Sequence, residues 1–87
     1  MAERLKSTTT QGRYKLTKIL DSKTLGKAIK ERRKALNYTQ SYIAGFTGFS
    51  TSFISDVENG KPTVELEKTI RLLQILGLDL NITVRGE

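Results

Sequence analysis

The sequence lacks cysteine and histidine and contains a single proline among its 87 residues. Without cysteine there can be no disulfide, no catalytic thiolate and no ordinary zinc site, and the composition suits a reducing cytoplasm. Without histidine the chain also lacks the side chain that usually transfers protons near neutral pH. It has neither a phosphate-cradling glycine loop nor a suitable carboxylate pair. These absences argue against an enzyme, and the sequence predicts no metal and no cofactor.

Long apolar runs are also missing. None approaches the roughly 20 residues of a membrane-spanning helix, and the N-terminus lacks the apolar core of a signal peptide. We therefore expect a cytoplasmic protein. A chain of 87 residues with 37% hydrophobic content fits one small domain. Such a domain buries only about 60% of its unfolded surface, so dimerisation would relieve its marginal stability.

Charge is present in excess of one sign. The formal net charge is +6, from 15 lysine and arginine residues against 9 aspartate and glutamate residues. A basic chain attracts polyanions, which favours nucleic acid or an acidic protein surface as the partner. A basic surface that only aids solubility is the alternative.

The pattern of residues divides the chain into three segments. Residues 1–21 form a basic N-terminal extension, expected to be partly mobile, with a possible short strand at residues 13–18. Residues 22–77 carry apolar residues at helical spacing and form the predicted domain. Residues 78–87 alternate apolar and polar residues, which predicts a half-buried strand. The apolar face of that strand consists of Leu78, Leu80, Ile82 and Val84.

A lone strand leaves its backbone polar groups unpaired, so this one requires a partner. We expect the same strand of a second subunit, beside the last helix. The alternative is a hairpin within one chain, formed with the segment from Tyr14 to Lys18.

Helix boundaries are predicted by capping residues. Asp21 and Ser22 are suited to begin a first helix, which is predicted to run to about Asn37. Thr63 follows the break at Pro62 and is suited to begin the last helix. The last helix is predicted to carry Leu66, Ile70, Leu73 and Leu76, and to end at Gly77.

Between these helices, the stretch from Thr39 to Gly60 has the form of two short helices joined by a tight turn. Thr39 and Ser50 are suited to cap the two helices, and Gly48 can adopt the left-handed conformation that reverses the chain. Asn59 and Gly60 are suited to end the second helix. The predicted inward positions are Ile43, Ala44, Phe49, Ile54 and Val57, together with Phe46 and Phe53, for which core packing is preferred over exposure. Two helices crossed in this way can project the second into a groove of duplex DNA.

The same stretch resembles the helix-turn-helix of the Cro/C1 repressor superfamily, often called the XRE family. The matching residues are Arg33, Thr39, Gln40, Ile43, Ala44, Gly48, Ile54, Ser55, Glu58, Asn59 and Gly60. The resemblance runs from about Leu25 to Leu78 without an insertion. It implies a mainly α, lambda-repressor-like DNA-binding domain of four to five helices.

Within that superfamily, the run from Phe53 to Ile82 with its strand-like tail looks most like HipB-type antitoxins. The resemblance implies a homodimer that represses its own operon and binds a HipA-type kinase toxin. A phage or operon repressor and a restriction-modification controller are alternatives without a toxin. A protein-binding module with the same fold is an alternative of another class.

The resemblance also assigns roles to individual residues. The expected base contacts, on the outward face of the second helix of the motif, are Thr51, Ser52, Ser55 and Asp56. The expected phosphate contacts are Thr39, Gln40, Ser41, Ser50, Asn59 and Lys61. Arg33 and Glu58 are expected to form a structural ion pair. The base contacts lack Arg, Lys, Asn and Gln, so DNA shape and water-mediated contacts gain importance.

Overall fold

The computed structural model describes residues 16–86, which fold as four α-helices in the expected lambda-repressor-like arrangement. The helices are α1 (Ser22–Ala35), α2 (Gln40–Thr47), α3 (Thr51–Glu58) and α4 (Leu66–Ile75). The mainly α prediction is confirmed. Residues 1–15 of the predicted N-terminal extension, including the first half of the possible strand at residues 13–18, lie outside the described residues. Residues 16–18 do not form a strand.

Three helices begin at the predicted capping residues. The Asp21 carboxylate accepts from the Thr24 amide at 2.8 Å, and the Thr24 hydroxyl accepts from the Asp21 amide at 3.1 Å. This reciprocal pair is a capping box, which satisfies two backbone donors that a helix start would otherwise leave unpaired. Thr39 and Ser50 cap α2 and α3 in the simpler way, through one hydroxyl each.

All four helices among residues 16–86 are followed by a left-handed residue, and at Gly48 and Gly60 this conformation was predicted. Gly48 has φ 84° and ends α2, so the chain can turn at once into α3. Gly60 has φ 80° and follows the C-cap Asn59. The Gly60 amide donates to the carbonyl of Val57, and the Lys61 amide donates to the carbonyl of Asp56, both at 3.0 Å. This double closure is a Schellman motif, which folds Lys61 back toward the last turn of α3.

The prediction that Thr63 caps α4 is wrong. The helix begins at Leu66 after Glu65, whose side chain makes no capping bond. Leu66, predicted to be an apolar position of this helix, is 71% exposed, whereas Leu72 is fully buried. The buried residues Thr69, Leu72, Leu73 and Leu76 define the inward face of α4 at helical spacing, and Leu66 lies outside that face.

The core lies where the four helices meet and consists of aliphatic side chains and one phenylalanine. Its buried members are Ile29, Ile43, Phe49, Ile54, Val57, Leu72, Leu73 and Leu76. Each fully buried side chain of this size contributes roughly 1.5–3 kcal/mol relative to an exposed one. Phe53 packs partly against the core, but Phe46 is 56% exposed, so its predicted burial is wrong. Ile43 and Thr47 take the inward positions of α2 and leave Phe46 on its flank.

The C-terminal segment follows α4 without forming a strand within residues 16–86. Leu78 packs against the core, whereas Leu80, Ile82 and Val84 are 53%, 95% and 68% exposed. Half-burial of this face within one chain therefore holds only for Leu78. Pairing of this segment between two copies stays a prediction.

The longest helix in this part of the chain, α1, has 14 residues, and no helix among residues 16–86 has the length and apolar character to cross a bilayer.

Candidate nucleic-acid interface

The outward face of α3 displays short polar side chains. Ile54 and Val57 fix its rotation because both are buried in the core. Thr51 and Ser52 at the start of the helix are then exposed, and Ser55 and Asp56 one turn later are partly exposed. The structure therefore places the four expected base contacts together on one side of the helix.

The beginnings of α2 and α3 carry polar residues expected to contact phosphates. The hydroxyls of Thr39 and Ser50 accept from the amides of Tyr42 and Phe53, each at 3.0 Å. Ser41 is exposed in the first turn of α2. Helix N-termini carry partial positive charge and donor amides, so they attract phosphate groups. Both hydroxyls are already used as caps, and a phosphate there would meet the remaining amides.

A buried charged network holds the motif together. Arg33 donates from Nε to Glu58 Oε2 at 2.6 Å and from Nη2 to Glu58 Oε1 at 2.9 Å. The Arg33 and Glu58 side chains are only 9% and 2% exposed. Gln40 donates to Glu58 Oε1 at 3.0 Å. The network thus ties α1 and the start of α2 to the end of α3.

Arg33 makes a further bond, from Nη1 to the carbonyl of Tyr38 at 2.8 Å. Hydrogen bonding to the Glu58 carboxylate raises the pKa of Arg33 above its usual range, opposed in part by burial. The guanidinium is therefore permanently charged, and its planar fork suits the bidentate carboxylate. Gln40 uses its amide for this bond, so a phosphate contact by Gln40 would require its other amide hydrogen or its backbone.

Two of the expected base contacts are engaged with expected phosphate contacts. Asp56 Oδ2 lies 3.4 Å from Lys61 Nζ. Ser55 accepts from the Asn59 side-chain amide at 3.3 Å. Neither contact was expected from the sequence, where each residue was assigned separately to DNA.

A comparison with known families identifies the fold. The helix-turn-helix family model HTH_3 matches residues 29–82, which include α2, α3 and α4 in full. The chain belongs to this helix-turn-helix family. It is a transcriptional regulator of the XRE type, and its family and fold are those of DNA-binding regulators.

Two curated proteins are similar to this regulator over most of its length. An uncharacterized HTH-type transcriptional regulator, y4mF of Sinorhizobium fredii (strain NBRC 101917 / NGR234), is 38% identical over 63 residues, covering 72% of this chain and 83% of that protein. The ImmF control region 10 kDa protein of Bacillus phage phi105 is 36% identical over 64 residues, covering 74% of this chain and 71% of that protein.

Solved structures of HipB are similar in fold to this XRE-type regulator. The HipB–O4 20mer complex superposes with a TM-score of 0.74 at 28% identity, over 82% of this chain and 100% of that chain. A complex of a HipB variant with the O2 20mer has a TM-score of 0.75 at 26% identity, over 83% of this chain and 100% of that chain. The HipA–HipB–O2–O3 complex has a TM-score of 0.74 at 28% identity, over 82% of this chain and 100% of the matched chain.

The helix-turn-helix depends on a close approach of α1 and α3 that was not predicted from the sequence. A Cβ on the buried Gly26 would collide with the backbone oxygen of Val57 and lie 2.8 Å from that of Glu58. The Ser22 hydroxyl donates to the carbonyl of Gly60 at 2.8 Å. A glycine inside a predicted helix is a signal of such close backbone contact, and Gly26 is one.

Lysines line one face of α1. Lys23, Lys27, Lys30 and Lys34 recur at helical spacing and are all exposed. Among residues 16–86, none of them forms an ion pair. This face adds to the attraction of the regulator for polyanions. The described residues contain no cluster of three metal-ligating side chains.

Proposed function

We propose that this regulator is a sequence-specific repressor that binds an inverted repeat as a homodimer. The observation that carries the proposal is the outward face of α3, where exposed Thr51 and Ser52 precede the partly exposed Ser55 and Asp56. In a helix-turn-helix, such positions reach base edges in the major groove. The capped starts of α2 and α3 add helix N-termini, which favour phosphate groups. The net charge of +6 supports the same partner.

Homodimerisation is supported by the C-terminal segment. Leu80, Ile82 and Val84 expose apolar surface in a single copy. A cavity beside them is lined by residues of α4 and of the segment itself, including Ile70, Leu73 and Leu78. Pairing of two such segments would cover this surface and satisfy their backbone groups. Two half-sites would then lie roughly one helical turn apart.

The toxin partner is the finer part of the proposal. We infer that the regulator is the antitoxin of a HipA-type kinase in the cytoplasm and controls its own operon. The inference is supported by the similarity to HipB, including HipB within the HipA–HipB–O2–O3 complex. Identifying a kinase-like gene beside this one, and co-purifying the two proteins, would test it.

A phage repressor without a toxin is the second candidate, and a specific similarity favours it. The ImmF control region protein of Bacillus phage phi105 is 36% identical to this chain. Absence of any kinase that co-purifies with the regulator would favour this candidate, or a restriction-modification controller, over the antitoxin.

Selection of bound duplexes from a random library is the decisive experiment. We expect an inverted repeat, and binding at least roughly 1,000-fold tighter than to scrambled duplex, on the order of known specific complexes. Binding should also weaken steeply with salt, because phosphate contacts displace counterions. If no sequence is enriched, the proposal fails and the protein-binding module takes its place. That alternative is supported by the exposed rings of Tyr42 and Phe46 on α2.

Dimerisation has its own test. Removing residues 78–87 should lower the sedimentation mass from two chains to one. An unchanged mass would exclude pairing through this segment.

A further inference from the structure

The contact between Asp56 and Lys61 joins two residues that would act on different parts of DNA. Their charged atoms are 3.4 Å apart, and the side chains are 45% and 54% exposed. Exposed ion pairs at such distances contribute little to folding because water solvates both charges well. In water the pair therefore opens at small cost.

The backbone keeps the two residues adjacent even when the ion pair opens. Gly60 adopts the left-handed conformation, and the Lys61 amide donates to the Asp56 carbonyl at 3.0 Å. Lys61 is thereby held beside the outward face of α3. Its long side chain can rotate between the Asp56 carboxylate and other anions without any change in the helix.

DNA offers each partner a different competitor. A carboxylate facing the major groove can accept a hydrogen bond from an amino group, such as that of cytosine, but is repelled by phosphates. An ammonium is attracted to phosphates. If no amino group lies within hydrogen-bond reach of Asp56, an unpaired carboxylate would be repelled by the surrounding phosphates. Asp56 then keeps Lys61, and Lys61 displaces no counterion from the DNA.

We propose that the Asp56–Lys61 pair couples base recognition to phosphate binding. On a duplex with a cytosine amino group opposite Asp56, the carboxylate transfers to the base and Lys61 is released to a phosphate. On other sequences the pair stays closed, and this phosphate contact is not made. The pair thus suppresses non-specific binding and adds a contact only at the correct site. This inference rests on the proposed DNA-binding function.

Salt dependence measures the coupling directly. One lysine–phosphate contact changes the slope of log affinity against log salt concentration by about one. Binding of the full chain would be titrated between about 50 and 200 mM salt on the selected operator and on scrambled duplex. On scrambled duplex a cytosine amino group lies opposite Asp56 only by chance. For the unmodified protein, we expect the slope on the operator to be steeper than the slope on scrambled duplex. The Lys61 contact should account for about one unit of this difference for each bound copy.

One substitution in each residue tests the roles of Asp56 and Lys61 separately. Asp56→Asn should release Lys61 everywhere, so the slope on scrambled duplex steepens by about one per copy, affinity for it rises several-fold, and discrimination falls. Lys61→Gln should flatten the operator slope by about one per copy and leave the scrambled slope unchanged. In the double variant, Asp56→Asn should no longer alter the slope on scrambled duplex.

A matched control is available on α4. Glu65 and Lys68 form an exposed ion pair of the same 3.4 Å length. Glu65→Gln therefore changes the net charge as Asp56→Asn does and also opens one ion pair. We expect its slopes on both duplexes to stay close to those of the unmodified protein.

The coupling is overturned if Asp56→Asn leaves the slope on scrambled duplex unchanged. It is also overturned if Asp56→Asn steepens that slope equally in the Lys61→Gln background, or if Glu65→Gln reproduces the effect. These outcomes concern the ion pair alone, because an operator has been found and is bound. Failure to select any operator instead removes the proposed function, and the coupling with it.

Discussion

The two sides of α3 differ in burial and in the contacts that they make. Its inner side carries Ile54, Val57 and Glu58, all buried, and Glu58 is held by three hydrogen bonds from Arg33 and Gln40. Its outer side carries short hydroxyls and one carboxylate that are at least partly exposed. One eight-residue helix is thus fixed in the core by its inner side and free to contact other molecules through its outer side. The inner side determines where the outer side is presented, so substitutions on the two sides should affect different measurements.

The largest effect is expected from Glu58→Ala. Removing the carboxylate leaves the Arg33 guanidinium buried without its partner, which costs about 3–5 kcal/mol in comparable buried pairs. A domain of this size should then unfold or nearly so, as measured by urea or thermal denaturation. Glu67→Ala, at an exposed position on α4, is the control and should cost less than about 1 kcal/mol. A well-folded Glu58→Ala protein with altered sequence preference would mean that Glu58 acts on DNA rather than on the fold.

Gly26→Ala tests the seam between α1 and α3. The added methyl would press on the backbone of Val57 and Glu58, and such overpacking costs about 1–3 kcal/mol. Gly45→Ala on α2 is the matched control, because nothing lies within 4 Å of its Cβ position. That change should stabilise the protein by about 0.5–1 kcal/mol. Chemical denaturation should show that the free energy of unfolding falls in Gly26→Ala and rises in Gly45→Ala. Changes of the same sign would contradict the close approach of α1 and α3.

The outer side of α3 is tested by replacing Thr51 and Ser52 together with alanine. We expect the free energy of unfolding to change by less than about 0.5 kcal/mol, because both side chains are exposed. Discrimination between operator and single-base variants should fall by about tenfold, from the loss of roughly 1–2 kcal/mol of base contacts. Ser41→Ala is a useful contrast, since loss of a phosphate contact should weaken binding to all duplexes alike. Unchanged discrimination in the double variant would move base recognition to other residues.

The smallest effect concerns the cap of α1. Hydrogen bonds from the Thr24 amide and hydroxyl lower the pKa of Asp21 below its ordinary 3.8. Because the folded-state pKa is depressed, this contribution to stability is present above about pH 4 and is lost as the pH falls through the folded-state value. Asn caps helices about as well as Asp, so Asp21→Asn should match the original protein at pH 7 and lose less stability in acid. Thermal melts from pH 7 to about pH 3 would show this. Identical acid sensitivity in both proteins would exclude a role for the Asp21 charge.

Much of the fold follows from local chemistry in the sequence. Thr39, Gly48 and Ser50 define the turn of the motif through interactions within a few residues, and these predictions agree with the structure. The start of α4 was misplaced because Thr63 is a suitable capping residue by type, whereas the helix begins after Glu65, whose side chain makes no capping bond.

Predicting the interface was harder for a different reason. The outward positions of Thr51 and Ser52 follow from the burial of Ile54 and Val57. The Asp56–Lys61 and Ser55–Asn59 contacts depend on side-chain conformations around a left-handed turn, and the spacing of residues does not specify them. The exposure of Phe46 likewise depends on how tightly Ile43 and Thr47 bring α2 against its neighbours.

The exposed C-terminal side chains have a consequence for dosage. If a second copy covers Leu80, Ile82 and Val84, the unit that occupies an operator contains two chains. At concentrations below the dimer dissociation constant, the amount of that unit rises with the square of the chain concentration. A gene that represses itself through such a unit would respond steeply, since halving the supply of the chain would leave about a quarter of the active form.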